Sequence, residues 1–130
     1  MNKDFYRVVN NICEQDTRYK PEVYEFVMEA LTYTQKKYKI VKHATSEELL
    51  KGIKDYSIEL FGPLAMTVFN FWGVKDTVDF GNIVFNMVNN KVLTKTEQDK
   101  IEQFKDGFDF DNAFRKEYRD RLHKEVSKLR

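Results

Sequence analysis

Residues 61–88 read FGPLAMTVFNFWGVKDTVDFGNIVFNMV, and this stretch decides the fold. Gly62, Pro63, Asn70 and Gly73 interrupt it, so it cannot be one membrane-spanning helix, which takes about 20 mostly apolar residues. Pro63 suits the first turn of a helix, because its missing N–H has no partner there. The spacing predicts a short helix carrying Leu64, Met66, Val68, Phe69 and Trp72, closed by Gly73. Asp76 or Thr77 then caps a second helix, with Asp79 in its first turn where a carboxylate favours the dipole. Ile83, Val84, Phe85, Met87 and Val88 make that helix apolar nearly all round, so it is expected to be buried centrally. Asn89-Asn90 suits a left-handed exit, a conformation Asn tolerates better than most residues.

Toward the N-terminus, Thr45-Ser46-Glu47-Glu48 forms a capping-box pattern. The helix it opens carries Leu49, Leu50, Ile53, Tyr56, Ser57 and Leu60 and stops at Gly62. Before it, Pro21 starts a helix to about Tyr38, with an inner stripe of Val23, Val27, Ala30, Leu31 and Thr34. Phe5, Val8, Val9 and Ile12 predict a short amphipathic helix at the start. Toward the C-terminus, Thr94-Lys95-Thr96-Glu97 repeats the capping pattern, so residues 95–103 are expected to include a helical turn. Asp111 or Asn112 can cap a last helix, along which Phe114, Tyr118, Leu122, Val126 and Leu129 mark a narrow stripe.

Three short segments are strand candidates: Lys39 to Lys42, Lys91 to Thr94, and Phe108 to Phe110, the last alternating apolar and acidic residues. The order of elements is near that of a winged helix, with residues 62–74 as an extra element. An all-helical bundle, in which those segments are merely extended, is the alternative. The expected fold is mainly α, five to six helices in one domain, with room for a small two- or three-stranded winged-helix-like sheet. Residues 1–114 form the helical domain, and 115–130 a charged C-terminal helix attached to it.

At 130 residues the chain has the length of one domain. Lys plus Arg number 22 and Asp plus Glu 21, so no global field steers nucleic acid or an anionic membrane. Cys13 is the only cysteine, which rules out an intrachain disulfide and fits a reducing compartment. The N-terminal residues lack the apolar run of a signal peptide, so a cytoplasmic location and no membrane partner are expected.

Catalytic patterns are scarce. His43 and His123 are the only histidines, and neither has ligand-like spacing to a carboxylate or to Cys13. There is no nucleophile elbow, and the five glycines are spread singly rather than gathered into a phosphate loop. Gly52 and Gly81 fall inside predicted helices, where close packing of a neighbour explains them best. Asp106, Asp109 and Asp111 interleave with phenylalanines, a pattern that serves caps and edges as well as acid–base work.

Nucleic acid can be tested by charge. The segment before a wing usually enters the major groove. Here that segment, Thr77 to Asn90, contains no Lys or Arg and carries Asp79, so it offers nothing to phosphates. Residues 115–130 are the better candidate, with seven basic and three acidic residues. Arg115, Lys116, Arg119, Arg121 and Lys124 are the expected contacts if nucleic acid binds.

Four central strings, Phe61-Gly62-Pro63-Leu64-Ala65, Trp72-Gly73-Val74, Asp79-Phe80-Gly81 and Ile83-Val84-Phe85-Asn86, resemble the hallmark of a bacterial family, the Minf-type family of uncharacterised proteins. Arg18-Tyr19 with Tyr24, Phe26 and Val27 is similar to that family's opening. His43 through Leu50, Thr96-Glu97-Gln98-Asp99, Phe104 and Phe108-Asp109-Phe110 resemble its later motifs. The resemblance spans residues 4–114 and implies no reaction, cofactor or partner.

The expected function is therefore a non-enzymatic module for protein interaction or regulation, with an unknown protein partner and no cofactor or metal. The alternatives are nucleic-acid binding through the basic helix, and a small-molecule cleft built from His43, Trp72, Asp79 and Asp99.

Overall fold

A computed structural model describes residues 3–94 and 100–129. The chain forms α1 (Lys3–Gln15), α2 (Pro21–Lys37), α3 (Ser46–Phe61), α4 (Ala65–Trp72), α5 (Thr77–Asn89) and α6 (Tyr118–Lys128). Turns of 3-10 helix lie at Gly62–Leu64 and Ile101–Phe104, and a π-helical segment, Asn112–Glu117, leads into α6. The predicted capping turn at residues 94–97 falls largely outside the described residues.

The expected caps form where carboxylates and hydroxyls meet free amides. The Glu48 amide donates to Thr45 Oγ1 at 3.1 Å, and the Thr45 amide donates to Glu48 Oε1 at 2.8 Å. At α5, the Val78 amide donates to Asp76 Oδ1 at 3.1 Å, while Asp79 Oδ2 accepts from the amides of Lys75 (2.8 Å) and Asp76 (3.2 Å). Each box satisfies amides that the helix itself leaves open.

The sheet is a correction: no strand occurs among the described residues. The first two strand candidates are helix endings. The Ile40 amide donates to the Gln35 carbonyl at 2.9 Å, and the Val92 amide donates to the Met87 carbonyl at 2.8 Å. Val74 does the same to Phe69 at 2.8 Å. Each bond closes a Schellman motif whose preceding residue is left-handed: Lys39 (φ 55°), Lys91 (φ 63°) and Gly73 (φ 89°). Ile40 and Val92 are thus the apolar residues that follow such a cap, which on paper look like fragments of strand. The left-handed exit of α5 falls on Lys91 rather than on Asn89-Asn90.

The third candidate fails for a different reason. Phe108 and Phe110 stack on each other with ring centroids 5.5 Å apart, and both rings contact Phe114. The chain is already turning here, because the Ala113 amide donates to the Asp109 carbonyl at 2.9 Å. The Asn112 amide donates to Asp109 Oδ2 at 2.9 Å, so Asp109 does the capping expected of Asp111 or Asn112.

The core is aromatic and centres on Phe69 of α4, which is fully buried. Its ring lies 5.3 to 6.1 Å, centroid to centroid, from Phe26, Phe61, Trp72, Phe80, Phe110 and Phe114. Two glycines set the helix spacing. A Cβ on Gly52 would stand 1.7 Å from Thr34 Oγ1, so α2 and α3 touch where α3 has no side chain. A Cβ on Gly81 would stand 2.9 Å from Phe104, which packs the Ile101–Phe104 turn onto α5. Thr77 Oγ1 fastens this turn by donating to the Phe104 carbonyl at 2.5 Å and accepting from the Gly107 amide at 3.0 Å.

Candidate functional site

The helix α5 is not buried all round. Phe80, Gly81, Ile83 and Met87 face the core, whereas Val84, Phe85 and Val88 are only half-buried. These three form one wall of a pocket of about 220 Å³. Leu31 of α2 and Leu49 of α3 are among its other apolar walls, and Gln35, His43, Ala44 and Thr94 also line it.

On another side of α5, Asp79, Asn82 and Asn86 recur at helical spacing and meet the connection between α1 and α2. Tyr19 Oη donates to Asp79 Oδ1 at 2.5 Å and accepts from Asn82 Nδ2 at 3.0 Å. Asn86 Nδ2 donates to Asp16 Oδ2 (2.9 Å) and to Tyr24 Oη (3.0 Å). Arg18 clamps Asp16 through Nε and Nη2, at 2.9 and 2.7 Å. These charge-assisted bonds from Arg18, joined by Asn86, hold the Asp16 carboxyl far below the usual carboxylate range. Burial pushes the Tyr24 phenol up to about 12 and, with the Asp79 bond, pushes Tyr19 higher still. Both phenols therefore stay protonated at neutral pH and act as hydrogen-bonding braces rather than bases.

A third cluster surrounds Asp55 of α3, which is buried. Its Oδ2 accepts from Lys37 Nζ (3.0 Å) and Tyr38 Oη (2.9 Å), and its Oδ1 accepts from Arg121 Nη2 (3.1 Å). Burial alone would raise the Asp55 carboxyl, but these three donors outweigh it and hold the group below its ordinary value. The same bond pushes Lys37 up to about 12. Arg121 thereby ties α6 to the body, assisted by Lys54 Nζ facing Glu117 Oε2 at 3.3 Å.

Of the four proposed cleft residues, the three that the structure describes, His43, Trp72 and Asp79, have different surroundings. His43 stands at the mouth of the 220 Å³ pocket. Trp72 packs in the aromatic cluster against Phe26, Phe61 and Phe69. Asp79 works as a cap and as the partner of Tyr19. Asp99 lies outside the described residues. Among the basic residues, Arg115 pairs with Asp111 at 3.3 Å and Arg121 with Asp55, while Lys116, Arg119 and Lys124 are exposed. No group of histidine, cysteine, aspartate and glutamate among the described residues is arranged to hold a metal ion. Cys13 is half-buried, and burial raises its thiol, which disfavours the reactive thiolate.

No protein-family model, curated protein or solved structure matches the chain.

Sequence reasoning missed Asp55 and the pocket wall. Asp55 gave no signal, because its cationic partners lie 18 and 66 positions away. The pocket did leave one. A helix that is apolar nearly all round has more apolar surface than a small core covers, and Val84 and Val88 are that excess. Among the described residues no helix is long and apolar enough to cross a membrane.

Proposed function

We propose that the chain is a non-enzymatic binding module that receives an acidic amphipathic helix of another protein along α6. The observation that carries this reading is the exposure of Leu122 (50%) and Val126 (48%) on one face of α6, which buries none of its residues, with Leu129 (86%) following at its C-terminal cap. Exposed aliphatic side chains in a row favour contact with an apolar stripe. Phosphates alone would make no use of them. Arg119 and Lys124 flank the stripe, while Lys128 pairs with Glu125 at 3.2 Å, and the basic residues of the helix outnumber Asp120 and Glu125, so a second copy would leave an excess of positive charge at the contact. An acidic partner fits both features. Likeness to the Minf-type family is carried forward as a proposal alongside, on the ordered central strings, and it brings no reaction with it.

The experiment is parallel affinity capture with the wild-type chain and the variant Leu122→Asp/Val126→Asp, followed by titration of the captured protein in purified form. The expected result is a protein whose affinity falls about 100-fold or more in the variant and weakens with salt. Capture that is equal for both chains, or that disappears on nuclease treatment, would overturn the reading, and the second outcome would favour nucleic acid.

A further inference from the structure

The pocket beside α5 differs in its lining from four other depressions on the molecule. Each of those four includes charged side chains, such as the groove with Lys75, Asp76, Lys105, Asp106, Asp109 and Asp111. The 220 Å³ pocket has no Asp, Glu, Lys or Arg among its described lining residues. Its walls come from elements far apart in sequence: Leu31, Leu49, Val84, Val88 and Phe104. Two of its hydroxyls are already committed, Thr45 to the Glu48 amide and Ser46 to Gln103 Oε1 at 3.2 Å. His43 and Thr94, both exposed, then supply polar groups at its edge, and Gln35, whose Nε2 donates to the Lys42 carbonyl at 3.3 Å, offers its amide oxygen.

Such a lining selects its occupant. An ion placed among these walls would lose its hydration without gaining a counter-charge from any described lining residue, a cost that disfavours charged ligands. A neutral molecule gains apolar burial against Leu31, Leu49, Val84, Val88 and Phe104 and can direct one donor or acceptor to the polar edge. The size is also selective, since an apolar cavity of about 150 Å³ already accepts benzene. We propose that this pocket is a binding site for a small, neutral, ring-sized apolar molecule bearing a single hydrogen-bonding group. The site is separate from the α6 surface, so either can stand without the other.

Indole is a suitable probe, with indole-3-carboxylate as its charged counterpart. Methyl resonances of Leu31, Leu49, Val84 and Val88 are followed by NMR during titration of the full chain. The expected result is saturable shifts confined to methyls that line the pocket, these four residues together with Val92 and Leu93, with indole-3-carboxylate binding at least about tenfold more weakly. Ala44→Trp fills the pocket from the rim, and Val88→Phe fills it from α5. Each is expected to weaken indole at least about tenfold while the melting transition stays cooperative. Two filling variants from different elements guard against one of them failing to fold. Absence of saturation, shifts spread over the surface, equal affinity for the carboxylate, or unchanged affinity in both filled variants would each overturn the proposal.

Discussion

Asp55 shows how much one carboxylate can organise. It is the point where α2, α3 and α6 exchange charge, through Lys37, Tyr38 and Arg121. Its cationic partners are about half-exposed, which screens the pairing and lowers its worth. Asp55→Ala is expected to cost about 1–3 kcal/mol in urea unfolding, mostly from donors left with poorer partners. The pH dependence follows from the sign of the shift. The folded carboxyl sits below its ordinary value, so its stabilisation is fully present above the unfolded value of about 3.9. It is lost as pH falls through the folded value. Asp16 adds to the same acid limb, and its carboxyl is held lower still. In Asp55→Asn the drop of stability between neutral and acidic pH should be shallower than in the wild type, as read by urea midpoints across that range. Nothing in the sequence pointed to this residue. An acid in an amphipathic helix is ordinary, and only tertiary folding brings its partners near.

At the scale of elements, starts were more legible than ends. The capping boxes at Thr45 and Asp76 were readable because their residues are local and their chemistry is fixed by spacing. Two helix ends were misread as strands because an apolar residue after a Schellman cap looks like a β-branched run. Glycine would have marked these caps, as it does at Gly73, but Lys39 and Lys91 hold the left-handed positions. A side chain in that conformation costs roughly 1 kcal/mol. Lys39→Gly and Lys91→Gly are each expected to raise stability by about 0.5–1 kcal/mol, measured by thermal or urea unfolding. Gly73→Ala runs the opposite way. Its Cβ would meet the Arg18 carbonyl oxygen at 2.1 Å in a backbone at φ 89°, so a loss of about 2 kcal/mol or more is expected.

Across the whole molecule, Phe69 joins elements that lie far apart in the chain. Its burial is the global counterpart of the stretch from Phe61 to Val88, whose apolar character was plain from the residues alone. What the sequence left open was the pairing of that stretch with Phe26, Phe110 and Phe114, because ring-to-ring contact carries no periodic signal. Phe69→Ala is expected to cost about 3–5 kcal/mol, while deletion of residues 122–130, a segment whose described residues are all exposed, should cost less than about 1 kcal/mol. Comparing the two urea midpoints checks both. The reach of Phe69 also bears on biosynthesis. Its neighbours Phe110 and Phe114 leave the ribosome more than forty positions after it, which at about 5–20 residues per second is a delay of seconds. Throughout that interval the nascent polypeptide carries Phe26, Phe61, Trp72 and Phe80 without the rings that close over them, a stage at which a chaperone that holds aromatic segments has most to protect.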